Sequence, residues 1–132
     1  MTLEQAFHQR WAASAELNDL LPADRFFTGR SLGTTLPYAI LARRGTRAMS
    51  RSNGGDVEET VLPIHLWHRD YDAGRTIVCQ IEAVFDRCRL EATDEGLVTS
   101  VRRGRRTDRQ HEDGLWQFTL PFIVQVFRSR EP

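Results

Sequence analysis

An apolar stripe at helical spacing marks the first twenty residues of the chain: Leu3, Phe7, Trp11 and Leu17. Thr2 and Gln5 have the spacing of a capping box, which predicts that a helix begins there. Pro22 lacks the amide that a helix needs, so we expect this helix to end by about Leu21.

A second apolar stripe follows Asp72, which we expect to cap another helix. Its members recur at intervals of three and four residues: Ile77, Val78, Ile81, Val84, Phe85 and Cys88. The spacing predicts an amphipathic helix that packs one face on the core.

Alternation of apolar and polar residues predicts five strands, over residues 25–29, 38–42, 57–69, 97–107 and 115–127. In the third, Leu62, Ile64 and Leu66 share one face, and in the last a face carries Trp116, Phe118, Leu120, Phe122, Val124 and Val126. Pro63 cannot donate to a ladder, so we expect the third strand to lie at an edge or to bulge there. Residues 108–114, which end in Asp-Gly, form the predicted hairpin turn.

Residues 43–56 have no periodicity, and they contain three glycines and four arginines. The Asn53-Gly54-Gly55-Asp56 stretch is typical of a turn, so we interpret the segment as a loop or a long hairpin tip. With few apolar residues to offset its ordering entropy, we expect it to be mobile in the free chain.

The predicted element order is α-β-β-β-α-β-β. Helices separated by runs of strands indicate an α+β fold, with two helices packed on one face of a mostly antiparallel sheet. At 132 residues the chain has the length of one domain, over 1–132.

Composition limits the classes of function. Eighteen basic residues, all arginine, balance eighteen acidic ones, which argues against a generally nucleic-acid-binding surface. No apolar stretch approaches the roughly 20 residues of a membrane helix. The N-terminus lacks the order of a signal peptide, which predicts a cytoplasmic protein.

Motifs of catalysis and of cofactor or metal binding are absent from the sequence. His65 and His68 are three apart in a predicted strand, so they face opposite sides and cannot share an ion. We therefore predict no enzyme activity, no cofactor and no metal site.

Two groups of arginines are the candidate interaction residues: Arg43, Arg44, Arg47 and Arg51, and Arg102, Arg103, Arg105 and Arg106. In a regular strand Arg103 and Arg105 face one side while Arg102 and Arg106 face the other, which does not suit a reader of a DNA groove. Three interpretations remain open for the second group: a solvated or internally paired strand, a protein contact, or a nucleic-acid contact.

Three stretches together resemble a known family: LNDLLPADRFFTGRSLGTTLPYAILAR (17–43), LPIHLWHRDYDAGRTIVCQIEAVFD (62–86) and HEDGLWQFTLPFIVQVFR (111–128). The family is the tail-completion or tail-terminator group of phages, prophages and gene transfer agents. The resemblance implies an α+β structural protein without catalytic residues. It also implies a ring, a hexamer in the family, that ends the tail tube and meets head connector proteins.

From the resemblance we expect assembly in the cytoplasm and a final place in the virion tail. We also expect a monomer or weak oligomer when free, and no sequence-specific DNA affinity. In the ring, the 43–51 arginines are expected to meet a neighbour's acidic turn at 91–95. The alternative function is a small nucleic-acid-binding domain that uses the arginine-rich strand.

Overall fold

The computed structural model describes residues 1–30, 35–90 and 93–129. Its elements run in the order α1 Leu3–Ala13, α2 Ala15–Leu20, a 3-10 turn Ala23–Arg25, β1 Phe26–Thr28, β2 Tyr38–Leu41, β3 Gly45–Arg51, β4 Gly55–His68, α3 Tyr71–Phe85, β5 Leu97–Arg103, β6 Thr107–Gln110 and β7 Trp116–Ser129. The fold is therefore α+β, as predicted. The described ranges hold three helices and seven strands, so the predicted order of two helices and five strands is wrong.

The sheet is mostly antiparallel and is built on two long central strands, β4 and β7, which pair along their whole length. The free side of β4 pairs with β2 and β3, and the free side of β7 pairs with β5 and β6. Only β1 and β2 run parallel to each other among the described strand pairs.

Two prolines explain why each central strand has two partners. Pro63 in β4 lies directly opposite Pro121 in β7. The carbonyl of Pro63 accepts from Ala42 N–H, and that of Pro121 accepts from Gly104 N–H. Neither proline can return a hydrogen bond, so each outer ladder is interrupted at that point. The prediction that Pro63 marks an edge or bulge is wrong. Pro63 lies in a central strand, and the position of its missing N–H faces the gap between the end of β2 and the start of β3, where no strand needs that donor.

Two other predicted segments also differ from the structure. The segment expected to form one strand over 97–107 divides opposite Pro121 into β5 and β6, and β6 continues into the expected turn at 108–114. Residues 45–51, expected to lie in a loop or hairpin tip, form β3, which pairs with β4 and has one bulge between Ala48 and Ser50. The tip itself is confined to residues 52–54.

The first helix is interrupted where one continuous helix was expected. The capping box of Thr2 and Gln5 is present, but Ser14 adopts an extended conformation and its side chain caps α2. The side chain of Asn18 donates to the carbonyls of Trp11 and Ser14, which satisfies backbone groups freed by the break. In α3 the cap is Asp70 instead of Asp72, which lies in the first turn.

One hydrophobic core lies between the helices and one face of the sheet. The rings of Phe7 from α1 and Phe85 from α3 stack with centroids 4.8 Å apart, and both contact Phe122 of β7. The predicted inward residues Leu62, Ile64 and Leu66 are fully buried, which confirms the facing of that strand. None of the described helices is long and apolar enough to span a bilayer.

Candidate interaction surface

The arginine-rich segment 101–110 is divided by the break between β5 and β6. Arg103 and Arg106 both reach Glu82 on α3, and Arg106 Nε also lies 3.1 Å from Asp108. The backbone N–H of Arg103 donates to Asp86 at 2.9 Å. The prediction that Arg103 and Arg106 face opposite sides is wrong, because residues 104–106 leave the strand geometry.

Arg43 lies in an ion-pair cluster within its own chain. Its Nη1 and Nη2 donate to Glu95 at 2.6 and 2.8 Å, and its Nε and Nη2 donate to Glu4 at 3.0 and 2.6 Å. Glu95 also accepts from the Leu3 backbone N–H at 3.0 Å. Hydrogen bonds from Arg43 hold the pKa of Glu95 below its ordinary value. In the acidic turn at 91–95, which was expected to receive a neighbour's arginine, Glu95 therefore binds Arg43 of the same molecule, while residues 91–92 lie outside the described residues.

The other candidate arginines point into solvent. Arg44, Arg51, Arg102 and Arg105 are exposed and make no ion pair within residues 1–30, 35–90 and 93–129. Arg47 pairs with Glu59 at 3.3 Å, but 70% of its side chain remains accessible. An exposed pair of this kind contributes about 0–1 kcal/mol, so Arg47 is also available to a partner.

The face of the sheet that points away from the helices has an apolar centre that pattern reading did not single out. We call it the outer sheet face and define it by Val61, Pro121, Ile123 and Phe127, which are half-buried and surround the buried Pro63. These side chains alternate with the core residues, so they lie opposite the helix layer. The ring of Phe127 packs where a Cβ on Gly55 would stand, which a glycine alone permits.

Polar side chains continue this face towards the end of β4. His65 Nδ1 lies 3.1 Å from Thr119 Oγ1 and 3.2 Å from Gln117 Nε2. Burial, followed by the charge of Arg44, lowers the pKa of His65. His68 lies opposite Trp116 on the core side. Within the described ranges, no group of three or more histidine, cysteine or acidic side chains is placed to hold a metal.

Comparison with known proteins identifies the family. The model of the tail completion protein gp17 family matches residues 5–126 of the chain. The chain belongs to this family. Its members are structural components of phage-type tails, so the resemblance predicted from the three sequence stretches is confirmed.

Solved structures share the fold at low sequence identity. A chain of a native gene transfer agent virion particle superposes with a TM-score of 0.73 at 16% identity, covering 96% of this chain and 95% of that chain. A second solved chain superposes with a TM-score of 0.57, also at 16% identity, covering 98% and 95%. No curated protein matches the chain.

Proposed function

We propose that the chain is a non-enzymatic virion protein that completes or terminates a phage-type tail tube and joins it to the head connector. It acts as a homo-oligomeric ring, with six subunits by family resemblance. The observation that carries the proposal is the family match over residues 5–126. The superposition on a chain of a gene transfer agent virion supports the same context.

The free chain is then a monomer or weak oligomer that assembles in the cytoplasm and ends in the tail. Its contacts form with further copies, with the tail tube protein and with connector proteins. The candidate arginines without ion pairs and the apolar outer sheet face support this assembly. Both kinds of surface are suited to contacts with other subunits, which an isolated subunit does not make.

Disruption of the coding sequence in a particle-producing strain tests the proposal. We expect heads and tail tubes to be made but to remain unjoined, or the tubes to lack a defined end, in electron micrographs. Expression of the wild-type chain from a plasmid should restore joined particles. Normal joined particles without the chain would overturn the proposal.

Nucleic-acid binding is the second candidate, favoured by the four candidate arginines that are exposed and make no ion pair in the described ranges: Arg44, Arg51, Arg102 and Arg105. We expect no sequence-dependent, sub-micromolar binding to duplex DNA at physiological salt, because the net charge is zero and Arg103 and Arg106 are bound to Glu82. Fluorescence anisotropy with two unrelated duplexes across a salt series measures this. Tight binding with a steep salt slope would favour the second candidate.

A further inference from the structure

The outer sheet face carries a strong excess of positive charge. The strand register puts Arg47, Arg102 and Arg109 on this face, and Arg44 lies near enough to His65 to lower its pKa. Of the carboxylates on the described strands, the register places Glu59 alone on the same side. The face thus combines an apolar centre with an arginine rim.

A patch of the opposite character lies at the end of α2, on the helix side. We define the α2 end by Asp19, Leu20, Pro22 and Asp24, all of them exposed. Asp19 and Asp24 make no ion pair within the described ranges, and Leu20 keeps 40% of its surface accessible. The adjacent Arg25 directs its guanidinium to the carbonyls of Leu36 and Pro37, at 3.5 and 3.4 Å.

The two patches are complementary in charge, and each offers apolar surface to the other. The outer sheet face has Leu97, 53% accessible, beside Phe127, and the α2 end has Leu20 and Pro22. Charged rims around apolar centres are the usual composition of protein–protein contacts. Phosphate groups would satisfy the arginines but would leave the apolar centre uncovered. A protein surface therefore fits the face better than nucleic acid does.

We propose that the outer sheet face of one copy docks on the α2 end of the next copy. Because the patches are different and lie on opposite layers of the molecule, the contact is heterologous and repeats around a closed ring. This inference rests on the proposed ring and specifies which surfaces form its subunit contact.

Charge reversal on each side of the contact provides the test. The sheet variant is Arg44→Glu with Arg102→Glu, and the α2 variant is Asp19→Arg with Asp24→Arg. All four residues are exposed and make no ion pair in the described ranges, so the fold should be unaffected. The matched control, Arg75→Glu with Arg89→Glu, makes the same charge change as the sheet variant on exposed positions of the helix side.

Sedimentation velocity at low salt, from micromolar to millimolar protein, measures self-association, and circular dichroism checks folding. We expect each variant alone to weaken wild-type association by at least about tenfold, through like-charge repulsion, and the control to match the wild type. An equimolar mixture of the two variants should restore association. In the mixture every acidic sheet face can meet a basic α2 end, and every basic sheet face an acidic one.

Several results would overturn the proposal: a mixture that associates no better than either variant, a control as disruptive as the variants, or a wild type that stays monomeric at millimolar concentration. Loss of DNA retention in the sheet variant with unchanged self-association would assign the face to nucleic acid instead. If disrupting the coding sequence abolishes head–tail joining but both variants restore it fully, this contact is wrong and tail completion stands. If disruption has no effect, tail completion itself is wrong.

Discussion

Replacement of Phe85 by alanine tests the central packing of the fold. Phe85 is fully buried at the end of α3, stacked on Phe7 at 4.8 Å and tilted against Phe122 at 5.6 Å. Removing a buried phenylalanine typically costs about 3–5 kcal/mol, from lost transfer energy and the cavity left behind. These two ring contacts and a third with Trp11, each worth about 0.5–1.5 kcal/mol, put our expectation at about 4 kcal/mol.

That loss is large against the roughly 5–15 kcal/mol that holds a domain folded. With a urea m-value of about 2 kcal/mol/M, the unfolding midpoint should fall by about 2 M. Phe118→Ala should cost about 3–5 kcal/mol for the same reason, because Phe118 is also fully buried and contacts Tyr71. Urea melts followed by circular dichroism give both values.

Phe27→Ala is the matched control. Phe27 is partly exposed and makes only an edge contact with Tyr38 among the described aromatic pairs. We expect a loss of about 1 kcal/mol. A loss below about 1 kcal/mol for Phe85→Ala, or an equal loss for Phe27→Ala, would refute the assignment of the core to the helix side of the sheet.

Three further predictions concern other parts of the fold. Gly74→Ala should destabilise by about 1–2 kcal/mol in urea melts despite better helix propensity, because its Cβ would stand 2.5 Å from the buried Phe118 ring; a stabilised variant would contradict this packing. Glu95→Gln should cost about 1–2 kcal/mol at pH 7. Because Arg43 lowers the pKa of Glu95, this stabilisation is present above about pH 4.5 and is lost as the pH falls through the lowered pKa of the folded state. The free energies of unfolding of variant and wild type should therefore converge in acid, and a difference that does not change with pH would contradict this prediction. In hydrogen exchange, alternate amides of residues 45–51 should be protected relative to residues 52–54 in the free chain, and uniform fast exchange would instead support the mobile loop expected from composition.

Local pattern was sufficient to predict the positions and inward faces of the main elements. The capping box, the α3 stripe and the alternation in β4 and β7 depend on residues within a few positions of each other, so their signals are present in the sequence. The family resemblance depends on the same packing positions, which is why it was found without any catalytic motif.

Pairing between distant segments was decided only by the tertiary structure. The breaks at Pro63 and Pro121 required knowing that these residues lie opposite each other, 58 positions apart by their numbers (121 − 63). Likewise, Arg43 meets carboxylates 39 and 52 positions away, and Arg103 and Arg106 meet Glu82 across a helix–sheet contact. A run of arginines has the same local sequence whether its members are bound or free. The side chains left for partners are therefore determined by the folded surface, because folding alone places a carboxylate within reach of some guanidinium groups and leaves the others in solvent.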